Sequence, residues 1–164
     1  MLSRMNATPE ELVRQALDHR NIPYEWFTID PEFADTGVFC EKYGYPLEDT
    51  ANTIVVASKK SPKQYCACLV LSHTRLDVNH KVSRLMGQSK ASFATADEMK
   101  ALTGMEVGGV TPFSLPSGMP LFVDSRVMER HSIIIGGGGR SMKIKIAPDA
   151  LRVLGAQIVE GLAT

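Results

Sequence analysis

Long apolar runs are missing from this sequence. None approaches the roughly 20 residues needed to span a bilayer, so no membrane-spanning helix is expected. Cysteine is scarce. The thiols Cys40, Cys66 and Cys68 are an odd number, which argues against a disulfide framework. The opening MLSRMNATPEEL holds no apolar segment of the kind that marks a secretory signal, and the chain is read as cytoplasmic. Net charge is missing as well, with 18 Lys and Arg against 18 Asp and Glu. Without an attractive overall field, any contact with nucleic acid has to come from a local cluster and should weaken with salt.

The motifs of several common chemistries are also absent. His19, His73, His80 and His131 are scattered without metal-ligand spacing, and Cys66-x-Cys68 supplies only two ligands. No metal or other cofactor is therefore expected, and the two thiols read as core residues on one face of a strand. No G-x-S-x-G marks a nucleophilic serine. The run Gly136 to Gly139 lacks a G-K-[ST] ending. It is followed by the alternating SMKIKI instead of a helix, so it reads as a glycine-rich turn and not as a phosphate loop.

What is present suits a globular fold. The 164 residues fit one domain spanning 1–164, with 44% hydrophobic and 22% charged residues. Thr8-Pro9-Glu10-Glu11 is a capping box that predicts a helix, closed by Pro23. Tyr24 to Ile29 reads as a strand, and Asp35 or Thr36 opens a second helix that Gly44 ends. Thr53 to Ala57 and Tyr65 to Leu71 form a hairpin around the polar turn KKSPK. Val78, Val82, Leu85 and Met86 share a helical face that Gly87 stops, and Thr95 to Glu98 is a second capping box for a helix ending at Gly104.

Short strands follow at Leu121 to Val123, Ser132 to Ile135 and Met142 to Ile146. In the last, Met142, Ile144 and Ile146 share one face, and Lys143 and Lys145 share the other. Pro148 and Asp149 begin a helix expected to turn Leu151, Leu154 and Ile158 inward. Helices and strands do not alternate strictly. The expected class is α+β, with a mixed, largely antiparallel central sheet flanked by helices.

The most informative stretch is Leu102 to Phe113, LTGMEVGGVTPF. Adjacent glycines followed three residues on by proline allow close backbone approach to a ligand. Several N–H groups could then converge on one carbonyl oxygen. A plain surface turn is the alternative. Lys59, Lys60 and Lys63 at the hairpin tip read as a solvated turn, with phosphate contact as the second possibility.

GGVTPF resembles the GxxxP loop of the YbaK/prolyl-tRNA-synthetase-associated editing domains, with Gly108 and Pro112 at its fixed positions. The likeness continues in order through Ser89 to Thr103, Leu121 to Ser125 and Ile135 to Arg140. Lys143 to Ile146 and the segment Asp149 to Leu154 complete it. It implies a YbaK-like fold and an aminoacyl-tRNA deacylase acting in trans on the 3′ end of mischarged tRNA, with a synthetase as a possible partner and neither DNA nor a membrane involved.

The resemblance gives Gly108, Gly109, Val110, Thr111 and Pro112 to carbonyl and oxyanion binding, and Asp124 to orienting the substrate amine or a water. Asn52, Gly137, Gly138, Arg140 and Lys143 fall to the tRNA end. Two positions depart from the pattern: Asn52 stands where the family commonly carries lysine, and Asp30 where many members have histidine. The alternative reading, favoured by Asn52, is a non-catalytic module of the same fold that binds aminoacyl-tRNA or docks on a synthetase.

Overall fold

A computed structural model of the chain describes residues 7–164. Residues 1–6, which begin the segment read as lacking a signal, lie outside the described residues. Helix α1 (Pro9–His19) starts at a complete capping box. Thr8 Oγ1 accepts from the Glu11 N–H, and Glu11 Oε2 accepts from the Thr8 N–H. Its Val13 and Leu17 are fully buried. Strand β1 (Glu25–Thr28) and helix α2 (Thr36–Tyr43) follow, and Gly44 closes α2 in the left-handed conformation, φ +78°. The hairpin of β2 (Ala51–Ser58) and β3 (Tyr65–Leu71) is antiparallel, with Ile54 opposite Cys68.

The helical face after Asp77 begins as one wide turn, Val78–Val82, and tightens into α3 (Ser83–Leu85) before Gly87. Strand β4 (Ala91–Phe93) leads to α4 (Ala96–Thr103), which carries the second capping box and ends at Gly104. Strand β5 (Leu121–Asp124), helix α5 (Ser125–Met128), and strands β6 (Ile133–Gly136), β7 (Met142–Ile146) and β8 (Gln157–Val159) complete the order.

The α+β class is as expected, but the strands form two sheets instead of one central sheet. A five-stranded sheet runs β4-β2-β3-β5-β8, and a three-stranded sheet runs β1-β7-β6. The β1–β7, β2–β3, β2–β4 and β6–β7 pairings are antiparallel, whereas β3–β5 and β5–β8 are parallel. A parallel bridge, Thr50 to Ile134, links the two sheets. The C-terminal expectation also needs correction. Pro148–Leu154 forms 3₁₀ turns that Gly155 ends at φ +70°, and Ile158 sits on β8. A glycine in that conformation stops the helix one turn short of Ile158.

The main core lies between the sheets and α1, with Val13, Leu17, Leu69, Val123, Ile135 and Ile144 buried together. A second cluster, Val56, Cys66, Cys68, Val70, Val82 and Phe122, covers the other face of the large sheet. Strand β3 is covered on both sides, which explains its uninterrupted apolar run. The three cysteines are free and buried. The hydrogen bond with Cys66, and then burial, push the Cys68 thiol well above its ordinary value, as befits an inert core thiol. A third cluster of Ile29, Ala34, Phe39, Cys40 and Ile134 seats α2 near the junction of the sheets.

Candidate active site

Where the sheets meet, β2 and β6 diverge and leave a cavity of about 450 Å³. Asn52 to Val55 of β2 and Ile134 to Gly136 of β6 line it. Thr36 and Phe39 of α2, the segment from Phe93 to Met99, and the loop residues Val107, Gly108 and Val110 close it. Its walls are mostly apolar, with a few polar groups converging on them, which is the usual make-up of a small-ligand site.

The glycine loop stands at the mouth. Gly108 adopts φ +85°, a conformation that a side chain strains. A β-carbon there would also lie 3.0 Å from Arg140 Nη1 and 3.3 Å from Asp35 Oδ1. Gly109 is buried, its N–H donating to Glu106 O at 2.9 Å and its carbonyl accepting from the Gly138 N–H at 2.6 Å. The N–H groups of Gly108 and Val110 make no hydrogen bond among the described residues, and both residues line the cavity. Thr111 and Pro112 are buried behind the loop, and Pro112 opens a short 3₁₀ turn.

The glycines 136–139 serve this loop. A β-carbon on Gly136 would lie 2.6 Å from the Gly109 and Val110 carbonyls, and one on Gly138 would lie 2.7 Å from the Pro9 carbonyl. A side chain on Gly137 would strike Met142 at 2.8 Å. Protein therefore fills the room that Gly137 and Gly138 were expected to leave for a nucleotide. Of the run, Gly136 alone lines the cavity among the described residues.

Lys143, which the resemblance gave to the tRNA end, lines the cavity and is buried. It lies opposite Gly136 on β7 and is only 4% exposed. The alternation of β7 sets Lys143 on the face opposite Ile144, and at Lys143 that face is covered by α2 and the glycine loop. The ammonium donates to Gly108 O at 2.9 Å and lies 5.6 Å from the Phe39 ring centre. No carboxylate comes within 4.0 Å of it among the described residues. Burial pushes its pKa down to about 8, with Asp35 and Cys40 raising it and Arg140 lowering it. A buried charge ordinarily has a counter-ion. This one faces a cavity.

Asn52 lines the same cavity, its Oδ1 accepting from Thr36 Oγ1 at 2.7 Å. Its amide donors make no bond among the described residues. Arg140 is committed to protein: Nη1 donates to Val107 O at 2.7 Å and Asp35 Oδ1 at 3.3 Å, and Nη2 to Pro31 O at 3.0 Å. It clamps the loop to the segment before α2.

Asp124 is fully buried but does not line the cavity. Its Oδ2 accepts from Arg126 Nε at 3.2 Å and Nη2 at 3.1 Å, and Arg126 also donates to Ala163 O. Along β5 it shares the face of Phe122, which packs in the second cluster. Asp30, the other departure, caps the turn Pro31–Phe33 by accepting from the Glu32 N–H. Sequence reasoning gave Thr36 only a helix-opening role and gave neither Phe39 nor Phe93 a place in the site. An apolar residue at a cavity rim carries no periodic signal that separates it from core. Among the described residues no group of three or more His, Cys, Asp or Glu comes together, and no helix is long and apolar enough to cross a membrane.

The model of the aminoacyl-tRNA editing domain family matches residues 30–154, a span that includes every residue lining the cavity. A curated Enterococcus faecalis protein, EbsC, named as a candidate Cys-tRNA(Pro)/Cys-tRNA(Cys) deacylase, is 24% identical over 98 residues. That match covers 60% of this chain and 57% of EbsC, so the chain spans just over half the length of this relative. Among solved structures, the hypothetical protein APE2540 superposes with a TM-score of 0.83 at 23% identity, covering 94% of this chain and all of that one. A protein described as a candidate trans-editing enzyme for prolyl tRNA synthetase gives 0.78 at 23% identity, covering 98% of each chain. At these identities the structural likeness establishes the fold.

Proposed function

The chain belongs to the aminoacyl-tRNA editing domain family, and we propose that it is a single editing domain that hydrolyses the ester of mischarged tRNA in trans, in the cytoplasm. The observation that carries this reading is the buried Lys143 ammonium, without a carboxylate partner, beside a loop with two free N–H groups. Such a grouping stabilises negative charge on an oxygen, and its value rises in a site that excludes water.

Hydrolysis of an aminoacyl ester needs little else. A water attacks the carbonyl carbon, and the carbonyl oxygen becomes an oxyanion held by the Gly108 and Val110 N–H groups and the Lys143 ammonium. Collapse of the tetrahedral species breaks the bond to the ribose oxygen, which leaves with a proton as the 3′-hydroxyl of the tRNA, and frees the amino acid. Gly109, Thr111 and Pro112 hold the loop in place. Arg140 clamps it from outside. The free amide of Asn52, fixed by Thr36, binds the terminal ribose or phosphate without bringing a charge.

The apolar wall of Ile54, Val55, Phe39 and Ile134 takes the amino-acid side chain. A hydrophobic pocket separates neighbours by only about 1–3 kcal/mol per methylene, which is why charging errors arise and a second hydrolytic sieve is useful. EbsC is named for cysteinyl-tRNAs and the structural relative for prolyl-tRNA synthetase, so small side chains on tRNA(Pro) are the first substrates to test and that synthetase is the first partner. Asn52 in place of lysine favours the second reading, a non-catalytic aminoacyl-tRNA-binding module. A deacylation assay over a panel of mischarged tRNAs separates the two. Turnover above buffer for at least one small-residue ester is expected, and binding without turnover for all of them would establish the binding module.

A further inference from the structure

Phe93 is the last residue of β4, an edge strand of the large sheet, and the residue is 60% exposed. It lines two depressions at once. One is the candidate active site; the other is a groove of about 620 Å³ on the far side of β4. That groove carries Lys59, Arg75 and His80, and Lys90 lies next to it, its carbonyl accepting from the Lys59 N–H at 3.2 Å. Lys59, Arg75 and Lys90 are exposed, and none has a carboxylate within 4.0 Å among the described residues. Asp77, the acidic side chain on the groove, is turned to His80, 3.4 Å from its Nδ1.

We propose that this groove and Phe93 form the track for the single-stranded 3′ end of the RNA substrate, with backbone phosphates on Lys59, Arg75 and Lys90 and a base stacked on Phe93 as the strand turns into the cavity. The proposal rests on the deacylase reading for what the cavity does, and on its own observations for how the strand arrives. An exposed aromatic ring beside unpaired cations is the combination that holds single strands without reading sequence, because every base has a face to stack and every nucleotide a charge. It also answers the chain's zero net charge. A neutral protein has no global attraction for RNA, so a local cation cluster leading into the site must supply it.

The test uses the full chain and the variants Phe93→Ala, Phe93→Trp and the double Lys59→Ala/Arg75→Ala, all at exposed positions. Each is titrated with a fluorescent single-stranded RNA ending in CCA at two salt concentrations, and each is assayed for kcat and KM on aminoacyl-tRNA and on aminoacyl-adenosine. Phe93→Ala should weaken RNA binding by about tenfold, and Phe93→Trp should restore it. The double variant should flatten the salt dependence of binding and raise KM more for aminoacyl-tRNA than for aminoacyl-adenosine, which has no phosphate. Hydrolysis by the unaltered chain with wild-type binding and KM in every variant would overturn the track and leave the deacylase reading standing. RNA binding that is lost in Phe93→Ala and in the double variant, from a chain that hydrolyses nothing, supports the track and overturns the deacylase reading instead. No RNA binding by the unaltered chain overturns the track outright.

Discussion

Asp124 and Lys143 are both buried charges at strand positions, and they have opposite surroundings. Asp124 is 0% exposed and held by the Arg126 guanidinium, away from the cavity. Lys143 is 4% exposed, touches no carboxylate among the described residues, and points its ammonium at the carbonyl of the glycine loop. Asp124 has its counter-ion in Arg126 at Oδ2, while its Oδ1 is buried without a partner among the described residues. Lys143 has no carboxylate beside it among the described residues and lines a cavity, which under the proposed function makes it the group to meet a developing negative charge. The resemblance gave the carboxylate to orienting the substrate amine or a water and the lysine to the tRNA end; of the two, Lys143 lines the cavity and Asp124 does not.

The widest gap between the two should appear in the rate. Lys143→Met should lower kcat by about 10²–10³, the usual cost of removing one oxyanion-stabilising group, with the fold retained as judged by circular dichroism. Normal kcat in a folded Lys143→Met variant would remove the distinction. Asp124→Asn should show the opposite profile. It should cost about 1–2 kcal/mol in denaturant unfolding, because the charge-assisted bonds from the part-exposed Arg126 become bonds to a neutral acceptor, while kcat per folded molecule stays near that of the unaltered chain. A large drop in kcat with unchanged stability would return Asp124 to the chemistry.

A pH series sharpens the contrast further. The Lys143 pKa is depressed to about 8 in the folded chain from an ordinary 10.5. The unfolded chain therefore holds the proton to higher pH than the folded one. Below pH 8 both states are protonated and the folded state bears the full penalty of the buried ammonium. As pH rises from about 8 to above 10.5 that penalty disappears and this site's contribution to stability improves. Lys143→Met should accordingly be more stable than the unaltered chain at neutral pH, with the difference shrinking in alkaline melts. Its rate deficit should narrow over the same range, because the ammonium it lacks is being lost from the parent as well.

The smallest effect is expected at Asn52, across the cavity from the loop. Asn52→Lys adds a charge-assisted donor worth about 1.5–3 kcal/mol against about 0.5–1.5 for a neutral one. Affinity for aminoacyl-tRNA should tighten by about tenfold at low salt, and less as salt rises. Identical affinities and salt slopes for the two proteins would place Asn52 outside the RNA-facing part of the site.

Much of the fold was legible in the sequence because its signals are local. The capping boxes at Thr8 and Thr95, the helix-ending Gly44 and Gly104, and the β2–β3 hairpin all appear where the residues put them. Each depends on contacts within a few residues. The GxxxP loop was legible too, but the reason for its glycines was not. Gly108 is needed for its positive φ and for packing against Arg140 and Asp35, and Gly136 and Gly138 for backbone-on-backbone contact. These neighbours are remote in sequence, and composition does not name them.

The sequence by itself determined the capped helices, the β2–β3 hairpin, the α+β class, the place of Cys66 and Cys68 in the core and the loop that marks the family; β4, α5 and β8 it did not. It also determined that Lys143 lies on the opposite face of its strand from Ile144. Only the tertiary structure decided what covers that face. Strand periodicity is a local property of the backbone and assigns residues to one side or the other. Whether a side meets water, a counter-ion or an empty cavity depends on elements brought together from far along the chain. Here the separation of the strands into two sheets opened the cavity, α2 and the glycine loop enclosed Lys143 beside it, and Arg126 closed over Asp124 elsewhere.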